Sequence, residues 1–190
     1  MAFIIEPDGQ NGGGAGGGEG GQSRRPDCRA GSKTLAVCGM TYGQSKAGND
    51  KIDVCWIVIE DPDGGHDVGA LVFDTFTLTQ RAAWKLQQVS GALGQKASWD
   101  VEDQDATWKV LSQSPVKAAV KMEPKWNGDG EKPAIERYSR SSTKISKELD
   151  KLIEDAERWY VAWQKKKQGG GSDSGRSSRS APFGDSDIPF

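Results

Sequence analysis

The sequence has little of what catalytic and metal sites usually require. It contains one histidine, His66, and three cysteines, Cys28, Cys38 and Cys55, whose spacing matches no metal-ligand pattern. No apolar run approaches the length of a membrane span or of a signal-peptide core. Because an odd number of cysteines also leaves one thiol without a partner, we expect a reducing, cytoplasmic location and no membrane among the partners.

The sequence also lacks the motifs of common phosphate and calcium sites. No glycine-rich loop is followed by Lys-Ser or Lys-Thr, as a nucleotide-binding loop would be. A calcium loop that begins at Asp61, near His66, would need a carboxylate where Val72 stands. Acidic residues between 102 and 105 suggest a nuclease cluster, but a helix N-terminus explains them better because its dipole favours negative charge. We therefore expect no enzyme, no metal site and no cofactor.

Glycine is abundant but concentrated near the two ends of the chain. Much of the total of 25 lies at 9–21 and 169–175, where the entropy lost on ordering glycine opposes any fixed structure. The predicted organisation is a flexible N-terminal tail at 1–30, a domain at 31–142, a helix at 143–167, and a disordered linker with an acidic tip at 168–190. An apolar patch at 3–5 could add a strand to a neighbouring subunit, although a disordered tail explains it more simply.

Three strands are predicted in the first half of the domain. Lys33 to Tyr42 and Lys51 to Glu60 form a hairpin around the loop GQSKAGND. The second run is rich in β-branched residues and apolar on both faces, so we expect it to be a central strand covered on both sides. After the turn DPDGGHD, residues 67–78 return as the third strand.

The second half of the domain predicts helices and a further hairpin. One helix follows Thr79 as its N-cap and ends at Gly94, and a second, shorter helix spans 103–113. The segment PVKAAVKMEPK alternates apolar and charged residues, and KPAIERYSR returns after the turn WNGDGE. This order predicts a mainly β (α+β) fold, a five-stranded OB-fold-like barrel with a helix between strands 3 and 4.

The last predicted element is the long C-terminal helix at 143–167. Its apolar stripe consists of Ile145, Leu149, Leu152, Ile153, Ala156, Trp159, Tyr160 and Trp163. A stripe of this size has to be covered, and we expect it to pack on the barrel. The alternative is that it pairs with a second copy of the chain, which would make the protein a homo-oligomer.

Positive charge is not in excess, since the formal net charge is −2, so any surface for nucleic acid has to be local. Single-stranded DNA requires cations for its phosphates and aromatic rings for its bases. The last hairpin offers both in Lys117, Lys121, Lys125, Trp126, Lys132, Arg137, Tyr138 and Arg140. Lys46 and Lys51 flank the first hairpin loop. Trp56, Phe73 and Phe76 are further stacking candidates, although their strands also suit the core. A solvated charged face without a ligand is the alternative.

The sequence closes on APFGDSDIPF, where acids and a compact apolar group share one short segment. Its predicted partner-binding residues are Asp185, Asp187, Ile188, Pro189 and Phe190. The acids and the terminal carboxylate suit a basic rim, while the apolar side chains suit a hole beside it. DSDIPF resembles the conserved acidic tip of bacterial single-stranded DNA-binding proteins, which follows a disordered linker. The resemblance implies that enzymes of replication and repair bind this tip.

A looser resemblance extends over the body of the chain. From Lys33 to Tyr138 it is similar to phage-encoded single-stranded DNA-binding-like proteins in the strand VFDTFTL, the helix after it and the lysine strand before Lys-Pro-Ala-Ile-Glu. Together the resemblances imply a phage or bacterial protein that coats single-stranded DNA during replication, recombination or repair. The alternative is an adaptor or decoy that occupies the partners of the host's own binding protein without binding DNA.

Overall fold

The computed structural model describes residues 25–94, 103–125, 128 and 130–169. Its strands are β1 (Gly31–Gln44), β2 (Asp50–Glu60), β3 (Leu71–Thr77), β4 (Val116–Pro124) and β5 (Glu131–Arg140). Its helices are α1 (Ala83–Leu93), which follows a 3-10 turn at Gln80–Ala82, α2 (Gln104–Ser112) and α3 (Lys147–Gly169). The succession of three strands, helices, two strands and a long helix is the one that the sequence predicts.

All five strands belong to one antiparallel sheet in the order β3-β2-β1-β4-β5. β1 pairs with β2 along most of its length, and its first residues, Gly31 to Leu35, also pair with β4 on the other side. Register shifts in the β1–β2 and β4–β5 pairs mark bulges, which increase the twist and bend the sheet. In the described residues the edge strands β3 and β5 share no backbone ladder, so the sheet is not closed. The predicted class, mainly β with helices, is confirmed at this level.

The inner side of the sheet faces α1 and α2 and holds the main core. Ile52, Val54, Trp56 and Val58 all point inward from β2, while Cys55, Ile57 and Ile59 point outward. This is the alternation that the sequence predicts for a strand covered on both sides. The inner core also includes Leu35, Val37, Val72, Phe76, Val89, Leu93, Leu111, Val116, Ala118 and Tyr138.

Local capping sets the ends of α1 and α2. The Thr79 hydroxyl accepts a hydrogen bond from the N–H of Ala82 at 3.3 Å and so caps the 3-10 turn. Gly94 ends α1 in the left-handed conformation, with φ of 69°. Asp103 accepts from the N–H of Ala106 at 2.9 Å, which gives this acid the structural role expected at a helix start.

α3 lies on the outer side of the sheet, across β1 and β2. The residues in this contact are Ala36, Cys38, Cys55, Ile57 and Ile59 of the sheet and Leu149, Leu152, Ile153, Ala156, Trp159, Tyr160 and Trp163 of the helix. Gly39 of β1 makes the close approach possible, because a Cβ there would stand 2.2 Å from the ring of Tyr160. The prediction that the helix packs on the sheet of its own chain is confirmed.

The start of α3 differs from the prediction. The helix begins at Lys147 and not at Thr143, whose hydroxyl instead donates to Glu60 on β2 at 2.8 Å. Ser146 then caps the first turn, since its hydroxyl accepts from the N–H of Leu149 at 3.4 Å. Ile145 consequently lies outside the helix and is 38% exposed, so it does not belong to the apolar stripe.

Residues 25–30 belong to the folded body, although the predicted tail reaches residue 30. Arg25 pairs with Asp155 of α3 at 3.1 Å, and Cys28 is buried. Arg29 binds Asp67 through both its backbone N–H and its side chain, at 2.8 and 2.9 Å. These contacts link the segment to α3 and to the loop between β2 and β3, so residues 25–30 are folded although the predicted flexible tail includes them.

Candidate nucleic-acid interface

The outer face of the β4–β5 hairpin carries a group of exposed cations. On β4 the buried positions Val116, Ala118 and Val120 alternate with outward positions, which places Lys117 and Lys121 on the surface. Across the hairpin, Arg137 lies opposite Ala119 and Lys132 lies opposite Glu123. Directly opposite residues share a face of the sheet. We call the surface formed by Lys117, Lys121, Lys132 and Arg137 the β4–β5 outer face.

Carboxylates lie among these cations. The Lys121 ammonium is 3.0 Å from Glu123, and this hydrogen bond raises the pKa of Lys121, with a smaller contribution from Glu136. Glu60 lies close enough to Lys117 to interact with it electrostatically. The surface therefore carries both signs of charge, and a bound phosphate would have to compete with Glu123 for Lys121.

The other predicted lysines lie at hairpin loops. Lys46 is exposed in the loop between β1 and β2, and Lys51, at the start of β2, pairs with Asp53 at 2.9 Å. Lys125 directly follows β4, where its backbone N–H donates to Gly130 at 2.9 Å and narrows the loop before β5. None of the three occupies a strand position of the β4–β5 outer face.

The structure corrects the prediction that Trp56 and Tyr138 contact DNA. Trp56 is fully buried and Tyr138 is 5% exposed, and their ring centroids lie 5.7 Å apart in the inner core. β2 is covered on both sides, and Tyr138 faces inward beside it. A base cannot stack on either ring while the core is intact.

Tyr138 instead joins three elements of the fold. Its hydroxyl donates to Asp74 of β3 at 2.5 Å, and Asp74 also binds Lys85 of α1. Its backbone N–H donates to Gln88 of α1 at 3.4 Å. Burial raises the pKa of Asp74, and the nearby Lys85 opposes that change. Burial likewise raises the pKa of Tyr138, with the Asp74 carboxylate acting in the same direction. The two edge strands are thus linked by side chains and not by a backbone ladder.

Arg140 is exposed, but it lies apart from the β4–β5 outer face. Its β4 partner is Val116, an inward position, and its guanidinium rests against the end of α1. A Cβ on Gly94 would be only 2.9 Å from its Nη2. Trp126 and the predicted partner-binding tip at 185–190 lie outside the residues that the structure describes.

The aromatic residues Phe73 and Phe76 are also engaged in packing. Phe73 faces the outer side of β3, where its ring is 5.5 Å from that of Trp163 in α3. Phe76 is buried in the inner core at 1% exposure. α3 thereby contacts the outer side of the first three strands, and no helix in the described part of the chain covers the outer side of β4 and β5.

Within the described residues, one exposed aromatic side chain is not among the predicted site residues. Trp84 in the first turn of α1 is 54% exposed, and Arg81 in the preceding 3-10 turn is exposed as well. The helical periodicity of the sequence already indicates that Trp84 is exposed, because it falls outside the apolar stripe of Ala83, Leu86 and Val89.

The turn before β3 holds the one histidine of the sequence. His66 is exposed there, and the nearby Asp61 and Asp67 are bound to Lys33 at 2.7 and 2.8 Å. Across the described ranges, no group of three or more histidine, cysteine or acidic side chains is placed to hold a metal ion.

Comparisons with known proteins add no assignment. No family model matches the chain, and no curated protein matches it. Of the helices in the described part of the chain, none is both long and apolar enough to cross a membrane.

Proposed function

We propose that this protein binds single-stranded DNA through an OB-fold-like body and recruits partner enzymes through its acidic tip. The architecture supports the first part. An OB-fold is a five-stranded, partly open Greek-key barrel, and such folds bind oligonucleotides. The bent five-stranded sheet, with β1 shared between β2 and β4 and with α1 between β3 and β4, fits that description. The Tyr138–Asp74 hydrogen bond brings the edge strands together as a partly open barrel requires.

The β4–β5 outer face is the observation that carries the proposal. Lys117, Lys121, Lys132 and Arg137 are exposed, and none of them is needed for the core beneath. Cations on a rigid strand pair can follow a phosphate backbone without sequence preference. Because Lys121 is paired with Glu123, we expect the affinity for DNA to be moderate. Because phosphate contacts release counterions, we expect the affinity to fall strongly as salt rises.

The tip supplies the second part of the proposal, which comes from the sequence. DSDIPF is similar to the acidic tip of bacterial single-stranded DNA-binding proteins, and the body is similar to phage-encoded relatives of that class. The protein would therefore act in the cytoplasm of a bacterium, during replication, recombination or repair of bacterial or phage DNA. Self-association of the chain is compatible with this role.

Titration of the full chain with a labelled oligothymidine at several salt concentrations tests DNA binding. Each phosphate neutralised on a single strand contributes about −0.7 to the slope of log affinity against log salt. Lys121→Ala should make the slope shallower by about that amount. Glu123→Gln should act in the opposite direction and tighten binding, because it releases Lys121 from its carboxylate. If neither variant differs from the wild type, the β4–β5 outer face is not the site.

A decoy without DNA affinity is the second candidate, and one observation favours it. OB-folds usually bind nucleic acid on the face of strands 2 and 3, and α3 covers the outer side of those strands here. Such a protein would use the tip alone to occupy the partners of the host's binding protein. Absence of oligothymidine binding at low salt, together with intact binding of tip-recognising enzymes, would establish the decoy.

Removal of residues 185–190 tests the tip separately. We expect partner recruitment to be lost, because an anchoring aromatic such as Phe190 typically contributes more than about 2 kcal/mol to a contact of this kind. DNA affinity should stay the same or rise slightly, since the acids no longer compete with phosphate. Phe190→Ala alone should match the truncation in a pull-down with a tip-binding helicase or exonuclease. Equal recruitment of the full and truncated chains would rule the role out.

A further inference from the structure

Trp84 on α1 is a large apolar residue that is exposed to water, and the packing of the fold does not require an apolar residue at its position. Its 54% exposure is the highest among the large apolar residues of the described ranges, and it belongs to neither core cluster. α1 contacts the core through Leu86, Val89, Ala92 and Leu93 instead. An indole in water is costly compared with a polar side chain, and exposed tryptophans are enriched where ligands bind.

The segment that carries Trp84 is free of acids in a chain whose formal net charge is −2. From Thr79 to Gly94 it contains Arg81 and Lys85 but no aspartate or glutamate. Arg81 is exposed and precedes Trp84 by three residues, which makes the two side chains neighbours on a helical surface. Lys85 points inward to Asp74, so Arg81 supplies the positive charge beside the indole.

Arg140 adds a second guanidinium at the other end of α1. It reaches the helix from β5 and lies against Gly94. The eleven residues of α1 span about 16 Å at about 1.5 Å per residue, so the two arginines bracket the exposed indole along the helix. Among the residues that the structure describes, Asp74 places a carboxylate against this helix, and that carboxylate is buried and already bound to Lys85 and Tyr138.

The surroundings of Trp84 decide between a protein and a nucleic acid as the occupant. A docking site for a protein helix or strand has an apolar centre made of several side chains. Gln80, Arg81, Gln87 and Gln88 surround Trp84 on the helical surface, and none of them is apolar. One flat ring with a guanidinium group beside it and a second at the far end of the helix matches instead a base that stacks while phosphates of the same strand pair with arginine.

We propose that Arg81, Trp84 and Arg140, here called the α1 ridge, form a contact surface for single-stranded nucleic acid. This inference rests on the proposed DNA-binding function and places part of the binding site on α1, beside the edge of β5. Trp84 stacks on a base, Arg81 holds a phosphate beside it, and Arg140 holds a phosphate further along the strand, at the other end of α1. The sequence predicts that Arg140 binds DNA together with the lysines of the last hairpin. In this proposal it binds DNA together with Trp84 and Arg81 of the α1 ridge.

Equilibrium titrations of the full chain with oligothymidine test the α1 ridge. Trp84→Ala should weaken binding about tenfold with an unchanged salt slope, because stacking releases no counterions. Trp84→Phe should retain most of the affinity. Arg81→Ala should make the salt slope shallower by about 0.7. Val161→Ala and Arg158→Ala on α3 are matched controls, since both side chains are exposed and lie on another element.

The outcomes separate the two proposals. If the wild type binds and the Trp84 and Arg81 variants behave like their α3 controls, the α1 ridge is wrong while DNA binding stands. If the wild type does not bind at low salt, both fail. Circular dichroism and a urea titration of each variant show that it is folded, and because Trp84 and Arg81 lie outside both core clusters we expect their midpoints to match the wild type.

Discussion

The two halves of the outer side of the sheet differ in what they present to α3 and to solvent. On β1 and β2 the outward residues Cys38, Cys55 and Ile57 are apolar, and under α3 they are at most 1% exposed. On β4 and β5 the outward residues include Lys117, Lys121 and Arg137, and no helix of the described chain covers them. One continuous sheet thus has a closed half and an open half on the same side.

The difference shows which residues are available for binding. Apolar side chains are stable only when another element removes them from water, so the closed half is committed to packing. Charged side chains are stable in water, and burying them would cost more than it returns. Residues of the open half can therefore change with little effect on folding, whereas residues of the closed half cannot.

The largest expected effect comes from breaking the closed half at Tyr160. Its ring lies against Gly39 and its hydroxyl meets Thr41 at 3.3 Å. Tyr160→Ala should lower the free energy of unfolding by about 3–5 kcal/mol, the usual range for a buried aromatic residue. Arg137→Ala on the open half should change it by less than about 0.5 kcal/mol. Urea denaturation followed by circular dichroism measures both, and equal small losses would mean that α3 adds little to stability.

A smaller effect is expected when the contact is overpacked from the sheet side. Gly39→Ala places a Cβ 2.2 Å from the Tyr160 ring and should cost about 1–3 kcal/mol. Gly43→Ala on the same strand is the control, because the nearest atom to its Cβ would be Lys51 Cε at 3.9 Å. That variant should be neutral or slightly stabilising. The double variant Gly39→Ala with Tyr160→Ala should lose less stability than the sum of the two single losses. A loss equal to that sum would argue against this contact.

Lowering the pH should reduce the free energy of unfolding through buried carboxylates such as Asp67 and much less through the exposed carboxylates of the open half. Burial alone would raise the pKa of Asp67, but hydrogen bonds from Lys33 and Arg29 outweigh it and hold the pKa at about 2. A folded-state pKa below the unfolded value stabilises the protein above about pH 4, and that stability is lost as pH falls toward 2. The contribution at neutral pH is about 2 kcal/mol.

Stability measured from pH 7 to pH 2 checks this expectation. Asp67→Asn should be less stable at neutral pH and should lose less on acidification than the wild type. Glu123→Gln is the matched change on the open half and should leave the profile unaltered, since an exposed pair such as Lys121–Glu123 contributes little to folding. If the stability of Asp67→Asn fell with pH as that of the wild type does, the interactions of Asp67 with Lys33 and Arg29 would not contribute to the acid sensitivity.

The sequence by itself determined the elements and their sidedness. Alternation along β2 and β4 predicts which side chains turn inward, because the side-chain period of a strand is two whatever it pairs with. Thr79, Gly94 and Asp103 mark helix ends through bonds to neighbours in the chain, so these were also predictable. The apolar stripe of the last helix predicts that it must be covered.

The tertiary structure decided which of the polar and aromatic residues are accessible. Tyr138 belongs to an alternating strand at the edge of the sheet, and its burial follows from Trp56, Asp74 and α1 closing around it. Arg140 is grouped with α1 because β5 ends beside Gly94. The late start of α3 depends on the contact between Thr143 and Glu60, 83 residues apart. Contacts between distant segments depend on how the elements are placed in three dimensions, and local periodicity carries no information about that placement.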